Sequence, residues 1–361
     1  MSSIWGNKLK LSIFGESHGN AIGIVIDGLP CGFTIDFEKV KKDMKRRSPG
    51  INEFSTKRKE NDIPEILSGY FEDKTTGSPL CAIIKNNNAR SKDYSKIKDI
   101  MRPSQVDYTA FARYKGFSDY RGSGHFSGRI TAALVFAGSI AKQILSEKKI
   151  YTGAHISSVM DINDRLFEKT DLNQKTFEEL QNSEFPLLDN KKEIIMKEKI
   201  NHFKNLNDSL GGTVECAVIG LPAGIGNPFF NSIESVLSHL MFSIPAVKGI
   251  EFGAGFDITK MSGSKANDAY YYDNGEIKTE TNNNGGIIGG ISNGMPIIFK
   301  LAIKPTPSIE IEQKTVNIKT GENTKLKIEG RHDPIIVPRS IPVVEACSAD
   351  RKSTRLNSSH P

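Results

Sequence analysis

The chain has 361 residues, 37% of them hydrophobic and 25% charged, with a formal net charge of +6, long enough to bury a large core in one domain or two. No stretch approaches the roughly 20 apolar residues that cross a bilayer, so a membrane-spanning protein is not expected. No basic stripe interleaved with aromatics speaks for nucleic acid, and the modest positive excess suits a small anionic ligand.

Cys31, Cys81, Cys216 and Cys347 form no CxxC pair. This argues against a structural metal site and for reduced thiols in a cytoplasmic protein. Met1 to Lys10 carries no apolar core of the secretory kind, which gives the same address.

In chain order, the first notable segment is Phe14-Gly15-Glu16-Ser17-His18-Gly19. His18 could exchange a proton near neutrality, or it could simply satisfy a turn. The frame also matches the Gly-x-Ser-x-Gly elbow of serine hydrolases, although its place near the N-terminus leaves no room for the sheet that carries such an elbow. Ala21 to Asp27 reads as a buried strand. A turn over Gly28 to Gly32 leads to a helix in which Phe37, Val40 and Met44 share a face behind Asp36 as N-cap. That helix runs into Arg46-Arg47-Ser48-Pro49-Gly50. Glu65 to Gly69 and Pro79 to Lys85 are further strands.

Asp119 to Arg129 sets a glycine-rich turn before the clearest helix, Phe126 to Ser146, where Phe126, Ile130, Leu134, Ala137, Ala141 and Ile144 recur at helical spacing. Free N–H groups at that helix start, with Arg121, Ser127 and Arg129, would face an anion; a plain structural turn competes on equal terms. Helices are expected over Glu193 to Leu210, with Met196, Ile200, Phe203 and Leu210 as its stripe, and after Pro228, with Phe230, Ile233, Leu237 and Leu240 on one face. Gly212 to Leu221 and Met295 to Ile303 read as strands. Glu276 to Gly286 is too polar for a core and is expected as a loop that orders on a ligand. Strands mixed with long helices but without strict alternation predict an α+β layered core. One domain is expected over 1–347, and the stretch from Gly211 loosely echoes Ile22 to Arg47, as an internal duplication would.

Basic residues gather at Lys45-Arg46-Arg47, Lys57-Arg58-Lys59, Arg102, Arg331 and Arg339, near Pro or Gly, as a substrate with several anionic groups requires. Lys304-Pro305-Thr306-Pro307-Ser308 ends a strand in a rigid turn that can hold phosphate.

Phe14 to Gly19, Arg46 to Gly50, Asp119 to Arg129, Ala246 to Phe256, Gly285 to Gly290, Lys304 to Ser308 and Gly330 to Pro334, taken together and in this order, resemble the motif set of the chorismate synthases. The resemblance implies a homotetramer with a layered β-α-β sandwich-like core, reduced flavin mononucleotide (FMN) as cofactor and no metal. The implied reaction is a 1,4-elimination of phosphate from 5-enolpyruvylshikimate 3-phosphate without net redox change. It further implies flavin contacts at His125, Phe126, Ser127, Gly289, Lys304, Pro305, Thr306, Pro307, Ser308 and Arg331. Arg47 matches an NADPH position of members that reduce their own flavin; an external flavin reductase serves the others. His18, with Ser17 beside it, matches a histidine that protonates the flavin or the leaving phosphate.

The chain departs from the pattern in three places. Arg102-Pro103-Ser104-Gln105-Val106-Asp107 stands where the family has Arg-Pro-Gly-His-Ala-Asp, so Gln105 takes the place of a second catalytic histidine. Glu53 replaces a cofactor-binding arginine of some members. From Ser348 to Pro361 little is expected to bury, where the family continues into an apolar helix with a catalytic aspartate; a non-native tail is expected over 348–361. A flavin-binding member with impaired or lost catalysis is therefore the alternative reading.

Overall fold

The computed structural model of the chain describes residues 3–50, 62–87, 94, 97–328 and 333–356. In it β1 (Ile4–Trp5), β2 (Lys10–Gly15), β3 (Ala21–Asp27), β4 (Glu65–Ser68) and β5 (Leu80–Lys85) form one antiparallel sheet in the order β1-β2-β3-β5-β4. Alternation along β3 turns Ile22, Ile24 and Ile26 into the core, as the two-residue period of a strand dictates. A second antiparallel sheet holds β6 (Tyr151–Val159), β7 (Ile162–Asn163), β8 (Gly212–Ile219), β9 (Val247–Phe252) and β10 (Ile297–Ile303), in the order β9-β10-β8-β6-β7. β6 is buried almost throughout, because it is covered on both faces.

Between the sheets lie α1 (Phe37–Arg47), α3 (Thr131–Ser146) and α7 (Val337–Leu356), with one continuous apolar core reaching both sheets. The expected layered β-α-β core is thus the observed one. The helix α3 is apolar nearly all round, as a fully enclosed helix must be. It meets α7 at Gly138, where an added Cβ would lie 2.3 Å from that of Ala346, so only glycine allows this approach. Asp36 caps α1 by accepting from Glu38 and Lys39 N–H, as predicted. Peripheral helices are α2 (Asp107–Tyr114), α4 (Gln174–Asn182), α5 (Lys192–Asn205) and α6 (Ile233–Phe242). No helix among the described residues is long and apolar enough to cross a membrane.

Several expectations are corrected. The long helix begins at Thr131, because Ser127 is extended and caps a separate short turn over Gly128–Ile130; Phe126 is exposed rather than core. The helix expected to reach Leu210 ends at Asn205, and Leu210 is buried through a bridge to Ile335. Phe230 is 91% exposed, since Ser232 caps the helix only from Ile233. Glu276–Thr279 is no loop but pairs with Tyr270–Asp273 as a hairpin. In the residues that follow, Asp268 accepts from Thr281 Oγ1 and from the N–H groups of Asn283 and Asn284. Ser348 and Ala349, expected outside the core, are fully buried in α7. The Ser348 hydroxyl donates to Val344 O at 2.7 Å, which removes the cost of burying it. Residues 357–361 of the expected tail, the cluster at 57–59 and Glu53 lie outside the described residues.

On the far side of the second sheet, His155 of β6 stands opposite Glu215 of β8. Its Nδ1 lies 3.1 Å from both Asp164 Oδ2 and Ile156 O, and its Nε2 lies 2.9 Å from Glu215 Oε2. Carboxylates and carbonyls only accept, so both ring nitrogens carry protons and the buried ring is an imidazolium. Burial alone would expel the proton, but Asp164 and Glu215 outweigh it and raise the pKa above the ordinary 6.5. The stabilisation is complete below that ordinary value and is lost as pH rises through the raised folded value. Urea unfolding from about pH 6 to about pH 9 should therefore show a decline in stability that His155→Gln lacks. Parallel profiles for the two proteins would disprove the charged ring.

Candidate active site

Gly15 closes β2 and Ala21 opens β3, so Glu16 to Asn20 form the hairpin connection. This places Ser17 and His18 on a strand-to-strand turn and not on the strand-to-helix elbow of a hydrolase. Ser17 is 1% exposed. Its hydroxyl has one proton and faces Gly122 O at 3.1 Å and Arg121 O at 3.4 Å, groups that only accept. The 3.1 Å contact with His18 Nδ1 is then an N–H donated to Ser17 Oγ, which assigns the tautomer and turns Nε2 away from the serine. A nucleophilic Ser17 is incompatible with that burial; its work is to hold the imidazole. The His18 ring also stands edge-on to Tyr94, 5.1 Å between centroids.

The glycine-rich turn before α3 is shaped to fit against this histidine. A Cβ on Gly122 would lie 2.2 Å from His18 Cε1, and one on Gly124 would lie 2.5 Å from Asp119 O. Both residues have positive φ, so glycine is required for space and for conformation. The donors expected to face an anion here are committed within the chain. Arg121 pairs with Asp119 at 2.8 Å, lowering the Asp119 pKa chiefly through that hydrogen bond. Ser127 Oγ accepts from Arg129 N–H, and the Arg129 guanidinium pairs with Asp62.

A cleft of about 1070 Å³ opens beside this turn. It gathers Arg47, Gln105, His125, Phe126, Ser127, Lys304, Thr306, Pro307 and Ser308 of the predicted site. Ser17 and His18 do not line it, but they touch residues that do, Ser17 and His18 at Gly122 and His18 at Tyr94. Gly289 and Pro305 do not line it, and Arg331 lies outside the described residues. Sequence reasoning missed Trp5, His239 and Lys248, which the fold brings to the wall from β1, α6 and β9; no local pattern marks them.

Individual roles follow from the contacts. His125 Nδ1–H donates to Gly15 O at 2.8 Å, and Nε2 lies 3.0 Å from Ser3 Oγ, so this ring fastens β2 to the turn. Gln105 Nε2 donates to Ser308 Oγ at 3.2 Å and Lys304 Nζ donates to Ser104 O at 2.8 Å, stapling the two segments together. Arg47, 2% exposed, donates to Arg129 O at 3.1 Å and pairs with Asp62 at 3.1 Å. Burial would raise the Asp62 pKa, but Arg47 and Arg129 outweigh it and keep the carboxyl ionised.

The electrostatics favour anions. Among the described residues, Arg47, Arg102, Arg129, Lys248, Lys304 and Arg339 line the cleft against a single lining carboxylate, Asp333. Arg102 is matched by Asp107 at 2.7 Å and Arg339 by Asp333. Lys304 and Lys248 have no carboxylate partner among the described residues, and burial followed by the nearness of Lys248 lowers the Lys304 pKa. The hydroxyl of Thr306 is buried without a hydrogen-bond partner among the described residues. A ligand oxygen placed there would relieve both deficits.

Comparison with known proteins agrees with the geometry. A family model described as chorismate synthase matches residues 9–350. The chorismate synthase of Methanocaldococcus jannaschii is 44% identical over 363 residues, spanning 97% of this chain and 94% of that protein. That of Christiangramia forsetii is 47% identical over 345 residues, spanning 96% and 94%. A solved structure described as the crystal structure of chorismate synthase superposes with a TM-score of 0.75 at 27% identity, over 98% of this chain and 92% of that one.

Proposed function

This chain belongs to the chorismate synthase family, lyases that eliminate phosphate from 5-enolpyruvylshikimate 3-phosphate to give chorismate with the help of reduced flavin, and we propose that the cleft between the His18 turn and the Lys304 turn is where it does so. The observation that carries this assignment is the unmatched Lys248–Lys304 pair and the orphaned Thr306 hydroxyl, in a cleft also lined by Gly122 and Tyr94, which pack against His18. The alternative of a member without catalysis finds no support in the relatives.

The residues present fit FMN. Lys304, Thr306 and Ser308 would hold its anionic and polar groups, and His125, Phe126 and Ser127 would line its ring. When bound, reduced flavin supplies electron density transiently to the reacting ring, with no net redox change. The chain's own residues do the rest. The cations hold the phosphate ester and favour departure of a dianionic leaving group. His18, with Nδ1–H fixed on Ser17, offers Nε2 for proton transfer. Gln105 hydrogen-bonds and cannot relay a proton, so its part is to hold Ser308 in place.

The Arg47 guanidinium is engaged by Asp62 and Arg129 O, which favours reduced flavin delivered by a separate reductase over NADPH bound at this arginine. Gly289 does not line this cleft. Cysteines 31, 81, 216 and 347 are free thiols, in keeping with a cytoplasmic enzyme.

An anaerobic assay with chemically reduced FMN and the phosphate ester should give chorismate and phosphate in equal amounts. Flavin binding without either product would sink this reading.

A further inference from the structure

We propose that Asn86 is the positioning residue for His18, acting through the turn that carries it; the inference rests on the reading of His18 as the proton-transfer group. Asn86 follows directly on β5, and its backbone N–H donates to Asn20 O at 3.1 Å. Its side-chain Nδ2 donates to Glu16 O and to Gly19 O, both at 2.9 Å. Those carbonyls flank Ser17 and His18 on either side. One carboxamide thus spans the whole turn.

The orientation of that carboxamide is fixed by chemistry. Glu16 O and Gly19 O can only accept, and Arg129 Nε, 3.0 Å from Asn86 Oδ1, can only donate. The donor itself is anchored, since Arg129 pairs with the buried Asp62 and donates to Lys85 O at 3.3 Å. A rigid chain therefore runs from Asp62 through Arg129 and Asn86 to the His18 turn. The Ser17 end of the turn is also tied to the glycine-rich turn, by Ser17 N–H to Gly124 O and Ser17 Oγ to Gly122 O, each at 3.1 Å; the ties from the turn to the residue after β5 are those of Asn86. Aspartate at this position would satisfy Arg129 but set an anion against two carbonyls. Alanine would remove both side-chain ties to Glu16 O and Gly19 O and leave the turn held from its Ser17 end and by the backbone bond to Asn20 O.

The test is a double-mutant cycle with His18, read by turnover with reduced FMN, with FMN affinity and thermal unfolding measured on each protein. Misplacing a catalytic group by an ångström costs about 100-fold in rate, so Asn86→Ala should lower kcat about 10- to 100-fold with FMN affinity changed less than about threefold. On a His18→Ala background the same substitution should cost nothing further, and by NMR the titration of the His18 ring should move in Asn86→Ala. Asn86→Asp should resemble Asn86→Ala. If Asn86→Ala folds poorly, Asn86→Ser, which keeps one donor, serves in the same cycle. Additive losses in the cycle, turnover and FMN binding falling together, or an unmoved His18 titration would each overturn the proposal. Full turnover in His18→Ala would instead overturn the reading of His18, whatever Asn86 does.

Discussion

His18→Ala is expected to lower kcat for phosphate release by about 100- to 10,000-fold, the usual range for losing a general acid or base, while FMN binding and unfolding stay close to those of the parent. The asymmetry follows from the geometry. His18 is held from behind, through Nδ1 on Ser17, and the proposed flavin contacts lie on other segments, from His125 to Ser127 and from Lys304 to Ser308. Removing the imidazole therefore subtracts a proton-transfer group without dismantling the cleft. Gln105 cannot compensate, because an amide does not titrate near neutrality. His239 lines the same cleft from α6, and it is the group to examine if activity survives. A pH–rate profile separates the cases. The parent should show a limb that is absent from His18→Ala; a limb unchanged by the substitution would assign the proton transfer elsewhere.

Much of this architecture was legible in the sequence where the physics is local. β3 runs from Ala21 to Asp27 as read, because alternating isoleucines admit no other element. The Asp36 cap and the Val40–Met44 face of α1 also follow from short-range rules. The errors have a shared cause. Phe126 and Phe230 fit a helical stripe, yet the extended Ser127 and the cap at Ser232 decide where the helices begin. Glu276–Thr279 reads as polar loop because hairpin pairing with Tyr270–Asp273 leaves one face wet. Ser348 reads as surface because its satisfied hydroxyl depends on a carbonyl one turn back.

The site was legible as a set of segments and not as an arrangement. The segments Asp119 to Arg129 and Lys304 to Ser308 carry the glycines, cations and hydroxyls of anion chemistry. Only the fold tells which cations are paired with carboxylates within the chain, as Arg121 and Arg129 are, and which have no carboxylate partner among the described residues, as is so for Lys248 and Lys304. Asn86 bears no sequence signal. An asparagine after a strand ordinarily marks a turn, and its role depends on carbonyls that lie 70 and 67 positions away.

The largest stability effect is expected at Glu345, the centre of a buried charge cluster in the middle layer. Its fully buried carboxylate takes two hydrogen bonds from Arg46, at 2.6 and 3.0 Å, and stands 3.6 Å from Lys142. It also accepts from Ala154 N–H at 3.3 Å. Asp43 completes the group, 2.7 Å from Lys142 and 3.6 Å from Arg46; burial would raise its pKa, but Lys142 and Arg46 outweigh that and lower it. Two cations and two anions thus balance out of water, joining α1 and α3 to α7. Glu345→Ala leaves two buried cations facing one carboxylate, and breaking a buried pair from one side costs about 3–5 kcal/mol. Replacing both partners, Glu345→Leu with Arg46→Met, leaves the Lys142–Asp43 pair intact and should recover most of that loss, because a buried pair exchanged for packed apolar groups is often neutral. Urea unfolding followed by far-ultraviolet circular dichroism measures both. Equal destabilisation of the single and double variants would mean that shape, not charge balance, holds the three helices together. Recovery in the double variant would mean that Glu345 serves to neutralise Arg46, the neighbour of the cleft-lining Arg47 whose carbonyl Arg339 of the same α7 also grips.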